Sequence, residues 1–248
     1  AALALAASGS ALAVSVAALL AVQQSSGIRA ELSGIHGELV RIRQMLEEDA
    51  QGDQDESDQT AAPRHADLAY GNQPALGDPH APLLLVEFTD FQCPFCAHFE
   101  VETFPRIKQE YVDTHRLRYV AVDFPLPMHK YALDASQAAQ CAQAQGRYWE
   151  VREALFHLKG HLERDNLVKL AQLMGLDMGR FLPCLQSQQV REAIKAEMAL
   201  GYSIGVSGTP TFVVSRTRNG HIESSRMIEG AVSYAVFDEA FKDLLEGP

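Results

Sequence analysis

Basic residues are scarce in this chain of 248 residues: 21 Lys and Arg stand against 32 Asp and Glu, a formal net charge of −11. Phosphate binding needs clustered cations, so this balance argues against nucleic acid as a partner. Much of the acidity is local, in Glu47, Glu48, Asp49, Asp53, Asp55, Glu56 and Asp58, and so describes a linker more than a working surface. Charge of either sign is missing from residues 1–28, and no internal repeat is visible. Cysteine is limited to four, of which Cys141 and Cys184 are isolated. A structural zinc site usually takes a second close ligand pair, which these singletons do not supply. Widely separated cysteines suit an oxidising compartment instead.

The uncharged stretch from Ala1 to Val22 is Ala, Leu and Val broken only by Ser8, Gly9, Ser10 and Ser15. At helical rise it reaches roughly 33 Å, enough to cross a bilayer core. Residues 1–27 are therefore expected to be a membrane anchor or a signal segment, Ala11-Leu12-Ala13 offering a cleavage option; the length of the run favours the anchor. Either way the remainder lies outside the cytoplasm. Over residues 28–46, Ile28, Leu32, Ile35, Leu39, Ile42 and Leu46 form a heptad seam with Leu at a and Ile at d, a pattern that favours states above the dimer. A short coiled coil joining copies of the chain is expected there. The rival is one amphipathic helix, since Gly34 and Gly37 weaken the seam. Residues 47–75 are expected to be a disordered acidic linker, too polar to repay the entropy of ordering.

Everything after residue 80 is organised around Cys93-Pro94-Phe95-Cys96. The apolar run Leu83–Phe88 before it reads as a buried parallel strand. Ala97–Tyr111 after it reads as a helix, with Phe99, Thr103, Phe104 and Ile107 at helical spacing. The cysteines thus sit where a strand hands over to a helix, and Pro94 suits the first turn, where its missing N–H costs nothing. Unpaired N–H groups at a helix start favour a thiolate. Cys93 is expected to be the exposed, acidic nucleophile and Cys96 the buried resolving thiol. Leu117–Val122 reads as a second strand, followed by about seventy helical residues, then strands at Thr211–Val214 and Arg226–Glu229 and a closing helix over Phe237–Leu245. His157 and His161 have the spacing of helical metal ligands, but with no third ligand evident they read as surface residues, and no metal is expected.

Three motifs in order carry a resemblance: Leu85–Cys96, then Gly146-Arg147-Tyr148-Trp149-Glu150 with Ala154-Leu155-Phe156, then Gly205–Phe212. The stretch from about Leu76 to Glu246 resembles the DsbA-like branch of the thioredoxin superfamily. The resemblance implies an α/β thioredoxin-like fold over 76–248 with a helical insertion at about 130–203. It implies thiol–disulfide oxidoreductase activity on cysteines of exported proteins, with no cofactor beyond the Cys93–Cys96 disulfide and with a membrane redox partner to recycle it. It further implies a cis Thr209-Pro210 bond facing the dithiol, with Thr209, Pro210, Pro94 and Phe95 meeting substrate. Glu87 would be a buried acid relaying the proton of Cys96, and Cys141–Cys184 a structural disulfide. Phe95 stands where the best-known oxidase has a histidine, and no lysine is at hand to partner Glu87. Both departures argue for weaker thiolate stabilisation. An oligomeric isomerase or reductase is the alternative direction, and a non-catalytic module binding exported chains or metal is the rival of another class.

Overall fold

The computed structural model describes residues 73–218 and 221–246. The expected anchor and coiled coil, and the linker as far as residue 72, lie outside the described residues. Among the described residues no helix is long and apolar enough to cross a membrane.

Five strands form one mixed sheet in the order β1-β3-β2-β4-β5, where β1 is Ala75–Leu76, β2 Leu83–Thr89, β3 Leu117–Asp123, β4 Thr211–Arg218 and β5 His221–Glu229. β2 is buried along its whole length, which explains its nearly unbroken apolar run. It pairs parallel with β3, placing Glu87 opposite Ala121 and Thr89 opposite Asp123. β4 returns antiparallel on its other side, with Glu87 opposite Phe212. The two-residue β1, paired at the edge of β3, is too short to leave a sequence pattern.

A helix starts after β2 at Pro94, in the first-turn position expected for it, and is not regular. It runs as α1 (Pro94–His98), a wide-turned stretch over Phe99–Thr103, α2 (Phe104–Ile107) and a second wide stretch over Lys108–Val112. Pro105 gives a reason for the first. It has no N–H for the carbonyl four residues back and its ring crowds that carbonyl, and the Phe104 N–H instead reaches Phe99 O.

Between β3 and β4 lie α3 (Ala132–Gln143), α4 (Tyr148–His157), α5 (Arg164–Leu173), α6 (Met178–Cys184) and α7 (Gln188–Ser203), matching the expected insertion. α8 (Tyr234–Glu246) closes the fold. On one side of the sheet, Val86, Phe88, Val120, Val122 and Val213 pack with Ile204 and Val206. α7 comes so near this side that a Cβ on Gly201 would stand 2.6 Å from Phe124 Cε2. On the other side two cores meet. Phe99, Ile107, Phe212, Phe237 and Phe241 fill one, while Cys96, Ala121, Ala135, Ala139, Leu155 and Phe156 fill the other, beneath the insertion. Cys141 and Cys184 are disulfide-bonded, with 5.8 Å between their Cα atoms, tying α3 to the end of α6.

Candidate active site

Cys93 is the N-cap of α1, with extended backbone, and Cys96 lies within the first turn; neither is in a disulfide. Pro94 occupies the first helical turn, as expected. The expected exposure of Cys93 needs correction. Only 3% of the residue is accessible, because the chain around Thr209 and the side chains of Phe91 and Phe156 wall the turn. Exposure falls instead on Pro94 and on Phe95, which is 63% accessible. A shallow cavity of about 270 Å³ opens beside Cys93, bounded by Phe91, Gln92, Pro94, Phe156 and Lys159.

The loop before β4 faces the dithiol from across the fold. Thr209-Pro210 is a cis peptide, and the Cys93 thiol donates to the Thr209 carbonyl at 3.3 Å. Pro210 is buried and Thr209 half-buried.

The two sulfurs differ sharply in proton affinity. Cys93 is lowered from the usual thiol value of 9.0 to about 6, foremost by a hydrogen bond from Cys96. Thr209 and the Phe95 and Cys96 N–H groups add to this, while burial opposes it. Cys96 is fully buried and pushed well above the usual value, by burial first, then by its hydrogen bond to Cys93 and the charge of Glu87. One sulfur is therefore an anion at neutral pH and the other holds its proton, the division that attack and resolution require.

Glu87 lies on the dithiol side of β2 and is fully buried, with no edge exposure. The absence of a lysine partner is real but does not leave it alone. Arg152 of α4, fully buried, donates through Nη2 to Glu87 Oε2 at 2.7 Å and to Glu100 Oε2 at 2.8 Å. Its Nε adds a bond to Glu100 at 3.1 Å, and the Tyr119 hydroxyl also donates to Glu87. A cation held by two carboxylates was missed because it sits in a charged-looking stretch. The signal was present: Tyr148, Val151, Arg152, Leu155 and Phe156 mark one helical face, so Arg152 fills an apolar slot.

A second polar group steadies the turn itself. The fully buried Asp90 carboxylate accepts from the Gln92 N–H and the Leu126 N–H, each at 2.7 Å, and meets His129 Nδ1 at 2.7 Å. Gln92 Oε1 accepts from the Tyr131 N–H at 2.7 Å. The Asp90 N–H points at Cys96 sulfur at 3.5 Å. His129 is thereby tied through Asp90 to the turn that carries the dithiol. His157 and His161 stand exposed, the former bonded to the Glu153 carbonyl. Among the described residues no group of three His, Cys, Asp or Glu side chains could hold a metal ion.

The family model described as thioredoxin matches residues 69–233. The chain is 34% identical over 144 residues to the Na(+)/H(+) antiporter NhaA 3 of Salinispora tropica, covering 58% of this chain but only 22% of that protein. It is 28% identical over 157 residues to the probable disulfide bond formation protein D of Bacillus anthracis, with 60% of this chain and 72% of that one aligned. Among solved structures, Wolbachia pipientis alpha-DsbA1 superposes with a TM-score of 0.62 at 25% identity, over 70% of this chain and 91% of that one.

Proposed function

The chain belongs to the thioredoxin superfamily as a member of its DsbA-like thiol–disulfide oxidoreductases, and from that premise we propose that it exchanges disulfides with cysteines of exported proteins, outside the cytoplasm, through Cys93 and Cys96. A substrate thiolate attacks Cys93 sulfur in the disulfide form, and Cys96 departs with the electron pair and takes up a proton. A second substrate thiolate then attacks the substrate sulfur of the mixed disulfide and releases Cys93 as thiolate. Two electrons pass to the enzyme, so the disulfide is its own cofactor, and a membrane redox partner of the chain removes them. Thr209 and Pro210 align the incoming chain against Cys93, and Pro94 and Phe95 meet it from the helix side. Glu87 handles the proton of Cys96. The structural pair Cys141–Cys184 agrees with an oxidising compartment, and residues 1–27 serve as the anchor.

The observation that carries this reading is the Cys93 thiol, lowered to about 6, standing 3.3 Å from the Thr209 carbonyl beside a protonated partner sulfur. A thiolate held by the hydrogen bond from Cys96 and by the Phe95 and Cys96 N–H groups favours the reduced enzyme and therefore disulfide donation. Titration of the dithiol against glutathione tests the direction. A midpoint near −120 mV marks a donor, and one near −270 mV a reductant, the alternative that goes with oligomers assembled through residues 28–46. Cys93→Ser abolishes exchange, whereas in a purely binding module it leaves the activity intact.

A further inference from the structure

Asp90, which follows β2, touches both cysteines with its backbone and the loop over residues 124–131 with its side chain. Its carbonyl accepts from the Cys93 N–H at 3.1 Å, and its own N–H donates to Cys96 sulfur at 3.5 Å. That placement depends on a carboxylate with no solvent access. Three donors hold it: the Gln92 N–H on Oδ1, and the Leu126 N–H and His129 on Oδ2, each at 2.7 Å. A carboxylate accepts, so His129 donates through Nδ1. Two of the three donors are main-chain groups, and His129 is the one side chain among them. Its ring is 20% exposed where the Asp90 side chain is wholly covered.

We infer that His129 is a positioning residue for the resolving step: by holding the Asp90 carboxylate it keeps the Asp90 N–H on Cys96 sulfur, where that N–H stabilises Cys96 both as leaving group and as attacking thiolate. This deepens the thiol–disulfide reading and rests on it. The contact matters because the rest of the surroundings work against the Cys96 anion. Burial, the hydrogen bond to Cys93 and the charge of Glu87 all raise its proton affinity, and the Asp90 N–H lowers it. Both directions of exchange nevertheless pass through that anion. In disulfide donation a substrate thiolate bonds to Cys93 sulfur, the Cys93–Cys96 bond breaks, and Cys96 leaves with the electron pair. In the reverse direction Cys96 thiolate attacks Cys93 sulfur and expels the substrate thiolate. An N–H fixed at the sulfur favours the anion in each case.

Without His129, Oδ2 loses one of its two donors in a place where polar atoms need partners. Asp90 then turns to recover the bond from water, and its N–H leaves the line to Cys96. The loop itself has other attachments. Thr89 O accepts from the Phe124 N–H at 2.8 Å, and Gln92 Oε1 accepts from the Tyr131 N–H at 2.7 Å. Replacing His129 therefore disturbs Asp90 more than it disturbs the fold.

The test mixes the reduced full chain with oxidised glutathione and follows both steps by rapid acid quench and mass measurement. Cys93 thiolate first attacks a glutathione sulfur and expels one glutathione thiolate. Cys96 thiolate then attacks Cys93 sulfur and expels the second, so two electrons pass from the dithiol to glutathione. The variants are His129→Leu, which has no donor, His129→Asn, whose amide donates from near the place of Nδ1, and His129→Gln, whose amide sits one bond further out; each is checked by thermal melting. In His129→Leu and His129→Gln the second step slows about tenfold at pH 7, the scale of a weakened hydrogen bond to an anion, and His129→Asn recovers most of the rate. The first step and the Cys93 titration midpoint of about 6 stay in place. An unchanged second step in His129→Leu or His129→Gln overturns the proposal, as does a His129→Asn no faster than they are. Slowing of both steps with a moved Cys93 midpoint also overturns it, marking a general loosening of the turn. If wild-type protein forms no mixed disulfide with glutathione, the thiol–disulfide reading fails; if it does and the variants match it, only the positioning role fails.

Discussion

Replacing Arg152 by Met keeps the length of the side chain and removes its charge. The guanidinium holds Glu87 at 2.7 Å and Glu100 at 2.8 Å in a region with no access to solvent at Arg152 itself. Removing one member of a buried ion pair typically costs 3–5 kcal/mol, because the remaining charge has neither water nor partner. For a domain of this size each kcal/mol lowers Tm by about 2–4 °C, so a fall of about 10 °C or somewhat more is expected at pH 8. The pH dependence identifies the cause. Burial already raises Glu100 above the usual carboxylate value, even with Arg152 opposing it. Without Arg152 its folded-state value rises further, and a group raised on folding contributes stability that is complete below its unfolded value and lost as pH climbs through the folded one. The gap between wild type and Arg152→Met is therefore narrow near pH 4 and wide above pH 7. Calorimetry or denaturant melts at pH 4, 6 and 8 decide the matter, with Arg152→Met/Glu100→Gln recovering part of the loss at pH 8. A gap that is constant with pH would refute the reasoning, since packing loss alone has no reason to follow proton uptake.

Three further outcomes follow from particular contacts. Thiolate absorbance of the reduced protein rises with a midpoint of about 6 for Cys93, with Cys96 titrating only well above 9; a first midpoint near 9 would remove the basis for its nucleophilicity. Cys141→Ala/Cys184→Ala opens a bridge between residues 43 apart, lowering stability by about 4 kcal/mol on the chain-entropy model while leaving the Cys93 midpoint unchanged; a loss below about 1 kcal/mol would contradict it. Gly201→Ala sets a methyl 2.6 Å from Phe124 and costs about 1–3 kcal/mol by overpacking, visible as a lower Tm; an unchanged Tm would show that the ring moves aside freely.

The parts of this fold legible in the sequence were those written in consecutive residues. The buried run of β2, the dithiol turn, the helical insertion and the return strand after Pro210 each carry a local pattern, and each lies where that pattern places it. What escaped was information shared between distant segments. The wall that hides Cys93 is built partly by Thr209 from 116 positions away. Arg152 reaches Glu87 across 65 positions and Glu100 across 52, and nothing beside either carboxylate announces it. The irregular helix after the dithiol was misjudged for another reason. Phe99, Phe104 and Ile107 do recur along it, yet Pro105 forces a wider turn between them that a fixed period does not register.

The position of Arg152 also bears on how this architecture could be cut or recombined. Its helix belongs to the insertion, whereas Glu87 and Tyr119 belong to the sheet. Trimming the protein to a bare thioredoxin-sized core would strand an acid in the interior, and grafting the dithiol strand onto another scaffold would bring that acid along without its counterion. Sheet and insertion thus form one electrostatic unit, the insertion carrying the counterion of the sheet's buried acid.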